Sequence, residues 1–225
     1  WDREANRYDA HPIVRGVVWK LADREARNAV HAAIDAHFEP IAVPEWEQVQ
    51  SLADLTPAIE RYHTLVERGR LDDALALFRD RLEDATLHRL AAHRERIAML
   101  EQLFPDGTDK LPAIESEACQ SGTLNELAMS YHSSGRPGHA ATLYERCDKI
   151  DKRMNNNAGR QSGLFNLALS KREAAALRHA DELIWQVLFL SRELEATSFE
   201  GVALQELGRL ASTVGGQETA YHALS

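Results

Sequence analysis

No apolar run in this 225-residue sequence approaches the roughly 18 residues that would argue for a membrane-spanning helix. The N-terminus also lacks the basic, apolar and small-residue order of a secretion signal. No membrane partner is expected, and the default location is the cytoplasm. Cysteine is nearly missing: Cys119 and Cys147 lie in "SEACQSG" and "YERCDK", too far apart for a zinc or redox motif, so free thiols are expected. Basic charge is short, with 26 Lys and Arg against 35 Asp and Glu for a net charge of −9 and no segregated patch, which argues against nucleic acid as a partner. Glycine (12) and proline (7) are too few for a disordered chain, and 44% hydrophobic with 27% charged residues describes a folded globular one. There is no initiator Met either. The chain opens on Trp1 and ends in mid-pattern at Ser225, as a portion of a longer protein would.

The motifs of catalysis are missing as well. Neither a Walker-type GxxxxGK(S/T) nor GxSxG nor HExxH occurs. Ten histidines invite a metal reading, yet His88 and His93 are five apart, about 140° around a helix, and His31 and His37 are six apart, so neither pair converges as i, i+4 would. Asp72 and Asp73 open a helical pattern, where acids complement the helix dipole. "SSGRPGHA" (133–140) is the one turn that resembles a phosphate loop, but no Lys or Thr follows to hold a phosphate. It reads as a bend between helices. No catalytic, cofactor-binding or metal-binding residue is expected, and the chain is not read as an enzyme.

Helical period fills what remains. Leu71, Ala74, Leu75, Leu77, Phe78 and Leu82 recur at three and four residues, as do Leu183, Ile184, Val187, Leu188 and Leu190. Alternating Val/Ile/Thr runs that would announce strands are not found, so the fold class is all-α. Breaks fall at 38–46 ("FEPIAVPEW") and 104–112 ("FPDGTDKLP"), with Thr56 as N-cap ahead of Pro57. A charged helix is expected over 20–37 and a long one over 84–103.

Self-comparison is more informative. Leu124, Leu127, Ala128, Tyr131, Gly135, Ala140, Tyr144 and Cys147 reappear forty residues on as Leu164, Leu167, Ala168, Lys171, Ala175, Ala180, Ile184 and Val187. A further forty gives Leu204, Leu207, Gly208, Ala211, Gly215, Ala220 and Leu224. An out-of-phase copy lies at Tyr62, Leu65, Gly69, Ala74 and Phe78. Alternating small and large residues let antiparallel helices approach closely, and Gly69, Gly135 or Gly215 can end a first helix in a left-handed conformation. These residues resemble the tetratricopeptide repeat (TPR), although the forty-residue step exceeds the usual ~34. The resemblance implies a right-handed superhelix of antiparallel hairpins, a TPR-like α-solenoid. Hairpins are expected near 57–83, 84–120, 121–155, 158–195 and 198–225 within a repeat domain spanning 41–225.

"YDAHPIVRGVVWKLAD" (8–23) stands ahead of these repeats. Tyr8, His11, Pro12, Val14 and Arg15 resemble the segment that precedes the C-terminal TPR array in STAND-class regulatory NTPases, with Ile13 in place of the common Leu. Under that resemblance, residues 1–40 are the tail of a winged-helix and linker segment. The other reading is an amphipathic helix start with no such meaning.

By the TPR resemblance, first helices line a concave groove. The partner-facing residues are then Asn125, Met129 and His132, Phe165, Leu169 and Arg172, and Val202, Gln205 and Arg209, with Ile59, His63 and Val66 extending the line upstream. An apolar strip of Met129, Phe165 and Leu169 flanked by Arg172 and Arg209 suits an amphipathic or acidic-ended peptide, while a small-molecule effector is a further option. The alternative for Phe165 and Leu169 is packing against neighbouring repeats. The expected function is a protein- or ligand-binding module, either the sensor of a STAND-class signalling NTPase or a free-standing scaffold or adaptor.

Overall fold

The computed structural model describes residues 21–213. The Tyr8–Arg15 segment, Gly215 and the end of the last expected hairpin lie outside them. All regular structure among the described residues is helical. The chain divides into two compact units, Trp1–Leu82 and Glu83–Ser225.

In the first unit α1 (Arg24–Phe38) begins behind Asp23, whose carboxylate accepts from the Ala26 amide at 2.7 Å. The expected break follows, and two short 3₁₀ turns, Trp46–Gln48 and Leu52–Leu55, lead into α2 (Thr56–Glu67). Thr56 is not the cap: the 3₁₀ turn runs directly into the helix, Leu55 takes the cap position, and Pro57 lies in the first turn. A turn at Gly69 (φ +71°) reverses the chain into α3 (Leu71–Leu77), which widens to π pitch over Phe78–Leu82. Tyr62 and Phe78, both fully buried, meet across this hairpin with ring centroids 6.1 Å apart. Arg61 of α2 reaches back to Asp35 of α1 at 2.9 Å.

The second unit opens differently from expectation. In place of one helix over 84–103, a π turn (Ala85–Arg89) and α4 (His93–Glu101) are separated by Ala91 at φ +48°. The cause is Arg96, whose side chain is fully buried. It donates to the Glu83 carbonyl (2.9 Å), Thr86 Oγ1 (3.3 Å) and Ser130 Oγ (3.0 Å) and lies 3.4 Å from the Glu83 carboxylate. A guanidinium can be buried only with its donors satisfied. The wide turn and the break bring those acceptors round it.

Five helices of 17 residues follow: α5 (Glu117–Ser133), α6 (Pro137–Arg153), α7 (Asn157–Glu173), α8 (Leu177–Glu193) and α9 (Thr197–Thr213). Each packs mainly on the next, which is sequential hairpin packing of the TPR-like kind. Their first residues (117, 137, 157, 177, 197) are 20 apart, half the forty-residue sequence period. The turns share one geometry. Gly135, Asn155, Ala175 and Glu195 have φ of +78°, +54°, +60° and +53°. The next amide bonds back to the last turn in each case: Arg136 to Tyr131 O (2.9 Å), and Asn156 to Asp151 O, Ala176 to Lys171 O and Ala196 to Ser191 O (2.8 Å each). This is the Schellman arrangement, which satisfies carbonyls a helix end leaves open.

The repeat positions form the interior. Ala128, Ala168 and Gly208 are buried on first helices and Ala140 and Ala180 on second ones, with Tyr144, Ile184, Cys147 and Val187 filling the spaces between. Close helix approach thus comes from small side chains and void filling from large ones.

Candidate functional site

First helices α5, α7 and α9 present the residues that the repeat register places on one face. Asn125, Met129 and His132 on α5 and Phe165, Leu169 and Arg172 on α7 are half-buried, whereas Val202, Gln205 and Arg209 on α9 are exposed. Counted at the forty-residue step, the corresponding positions on the three helices are Asn125, Phe165 and Gln205, and Met129, Leu169 and Arg209. Ile59, His63 and Val66 are half-buried on α2, in the first unit.

Specific contacts join these helices. His132 Nδ1 is 2.9 Å from Ser170 Oγ and its Nε2 is 3.3 Å from Glu173, tying α5 to α7. The Phe165 ring meets Phe199 edge-on at 6.4 Å, tying α7 to α9. Arg172 pairs with Glu206, and Arg209 is 3.3 Å from the other oxygen of the same carboxylate. Glu206 is buried, so the two cations that the repeat resemblance places beside the strip share one internal acid. No sequence signal marks Glu206 as their partner, because a Glu in a helical pattern reads as solvent-facing.

A partly open cavity of about 160 Å³ lies between α5, α6 and α7. It exists because α5 and α7 face each other there with Ala118, Gly122, Gly159 and Ser162, side chains too small to fill the gap. Asp151 and Cys147 of α6 also line it, with Asn125 and Asn156. Asp151 is buried, and among the described residues its carboxylate accepts one hydrogen bond, from Asn156 Nδ2 at 3.0 Å. Asn156 Oδ1 in turn accepts from the Gly159 amide (3.1 Å), capping α7. The Cys147 thiol donates to the Ser121 carbonyl at 3.4 Å. Burial first, and then the Asp151 charge, push its pKa up to about 12. Of these residues only Asn125 and Cys147 stand out in the sequence, Asn125 as a face position and Cys147 as a small repeat position.

A second surface lies on α8. Trp185 and Phe189 are 55% and 63% exposed beside a hollow of about 420 Å³ bordered by Asn157 and Arg160. Forty residues earlier the same positions hold Glu145 and Lys149, so the aromatic pair departs from the repeat. Among the described residues no three His, Cys, Asp or Glu side chains converge as a metal site requires, and no helix is long and apolar enough to cross a membrane.

No protein-family model matches the chain, and no curated protein matches it significantly. Among solved structures it is similar to BtubC (BKLC) from P. vanneervenii at 16% identity and a TM-score of 0.47, over 89% of this chain and 71% of that one. It is similar also to a Podosopora anserina putative kinesin light chain with nearly identical TPR-like repeats, at 15% identity and a TM-score of 0.46, over 89% and 90%. A single-residue variant of that protein gives 15% and 0.47 over the same shares. Likeness at this level says nothing of what the chain binds.

Proposed function

We propose that the chain is a protein-interaction module that holds its partner on the face built from α5, α7 and α9. The observation that carries this reading is the set of half-buried apolar side chains on neighbouring first helices, Met129 on α5 with Leu169 at the corresponding position of α7 and Phe165 one turn before it. Side chains of this kind, fixed on rigid helices and bordered by charge, recognise an amphipathic segment without costly reordering. The cationic edge is weaker than the repeat resemblance implies, since Glu206 neutralises one of the two arginines. An apolar anchor therefore contributes more than an acidic end.

In this proposal the module is the sensor of a STAND-class signalling NTPase, as the Tyr8–Arg15 segment suggests. Partner binding acts by favouring one state of the attached switch. The expected companion is a Walker-type nucleotide site encoded ahead of Trp1, with turnover that changes on partner binding. A scaffold or adaptor has no such site.

Leu169→Glu tests the face. Affinity capture from the native host should lose a specific protein with this variant and retain it with a Trp185→Ala/Phe189→Ala variant, both with wild-type helicity by circular dichroism. The opposite pattern would move the partner to α8.

A further inference from the structure

Asp151 is 5% exposed and makes no ion pair among the described residues. Arg160 pairs with Asp148 at 2.9 Å, Arg153 with Glu117 at 3.2 Å, and Arg146 donates to the Thr108 and Lys110 carbonyls. A carboxylate offers about four acceptor sites, and burying it beside one neutral donor leaves most of its desolvation cost uncompensated. Asn125 Oδ1, also at this cavity, is buried with no donor among the described residues. Asp151 and Asn125 therefore line one partly open space, and each carries an acceptor with bonding capacity unused among the described residues. The missing side chain at 159, where a Cβ would lie 2.2 Å from Asn156 Nδ2 and 2.9 Å from Asp151 Oδ2, leaves room beside both groups.

We infer that the cavity between α5, α6 and α7 is a subsite for a primary alkylammonium group, such as the tip of a lysine side chain, held by Asp151 and Asn125. The charge and the acceptors exclude an anion. One carboxylate is too few for a calcium ion, which takes six to eight oxygen ligands. The Cys147 thiol is protonated and engaged with Ser121, so it offers no thiolate to a softer metal. At about 160 Å³ the cavity is smaller than the ~300–1,000 Å³ of whole-ligand sites, so it takes one group of a larger partner or a small free amine. An ammonium is compact, carries three donors and accepts nothing, whereas a guanidinium needs a wider planar slot. This subsite rests on the proposed interaction face, to which Asn125 belongs.

Titration of the whole chain with n-butylammonium, followed by NMR of the Asn125 and Asn156 side-chain amides, tests it. Saturable shifts are expected with butylammonium and not with n-butanol. Asp151→Asn and, separately, Asn125→Leu should each weaken binding about tenfold or more, the value of one lost charge-assisted hydrogen bond. Asp151→Asn should also raise the melting temperature, because it removes a buried unpaired charge, so misfolding cannot imitate the result. Nα-acetyl-lysine methylamide binding like butylammonium assigns the site to a partner's lysine, and binding of the free amine alone assigns it to a small molecule. Equal shifts with butanol, or unchanged affinity in Asp151→Asn, would overturn the inference. If butylammonium fails while Leu169→Glu still abolishes capture, the subsite falls and the face stands; the reverse pair of results leaves the subsite and removes the face.

Discussion

Cys147 fills a repeat position between helices, and its chemistry follows from that placement. At pH 8 Ellman's reagent should find one accessible thiol, Cys119, in the native protein, and a second only after denaturation. A linkage effect accompanies this. A thiol is neutral when protonated, and its pKa in the folded chain, about 12, stands above its ordinary value of 9. Between those values the unfolded chain has released the proton and the folded chain has not, so stability falls as pH rises through the window. Tyr131, raised to about 12 by burial and by its hydrogen bond to Glu101, and Tyr144, raised by burial, act with the same sign above pH 10. In Cys147→Ala the decline in denaturation midpoint between pH 9 and 10, below the tyrosine range, should flatten. An unchanged slope would count against a buried protonated thiol. The small size of residue 147 was legible in the sequence. The charged interior of Arg96, Asp151 and Glu206 was not, because charge on a helix is ordinarily a solvated face and only tertiary contacts mark an exception.

At the scale of the element, the turn is the unit that repeats. Glycine at 69 and 135 made two turns readable, and both are left-handed. Asn155, Ala175 and Glu195 adopt the same conformation without glycine, so the regular 20-residue step could not be read from residue types. An L-residue in this region costs about 1–2 kcal/mol, which the Schellman bonds and helix packing override. Ala175→Gly and Glu195→Gly should therefore each stabilise the chain by about 0.5–1 kcal/mol, after the larger entropy glycine loses on folding. Gly135→Ala should destabilise it by about 1 kcal/mol through the backbone alone, since a Cβ there meets nothing within 4 Å. Urea denaturation measures all three. The break at Ala91 shows the limit of periodicity in the other direction. Nothing between Arg70 and Phe104 is Gly or Pro, so the sequence carries no breaker there, and the interruption answers to the buried Arg96 instead.

Across the whole molecule, the forty-residue recurrence was the most legible feature, because each hairpin must present the same small and large positions to the next. No Gly or Pro marks the unit boundary after Leu82. Sequential packing has an energetic consequence: a helix that contacts chiefly its neighbours transmits damage only to them. Glu206 offers a way to measure this, since its carboxylate holds Arg172 of α7 and Arg209 of α9. In Glu206→Gln the arginines, both partly exposed, recover water, so the loss should be about 1–2 kcal/mol instead of the larger cost of a stranded buried charge. That corresponds to roughly tenfold faster amide exchange. The acceleration should be greatest in α9, smaller in α7 and α8, and undetectable in α6, because local opening of α9 exposes only the helices that touch it. A uniform acceleration through α5–α9 would mean that the second unit opens as one cooperative body, and a partner bound at α5 would then sense changes at α9 directly.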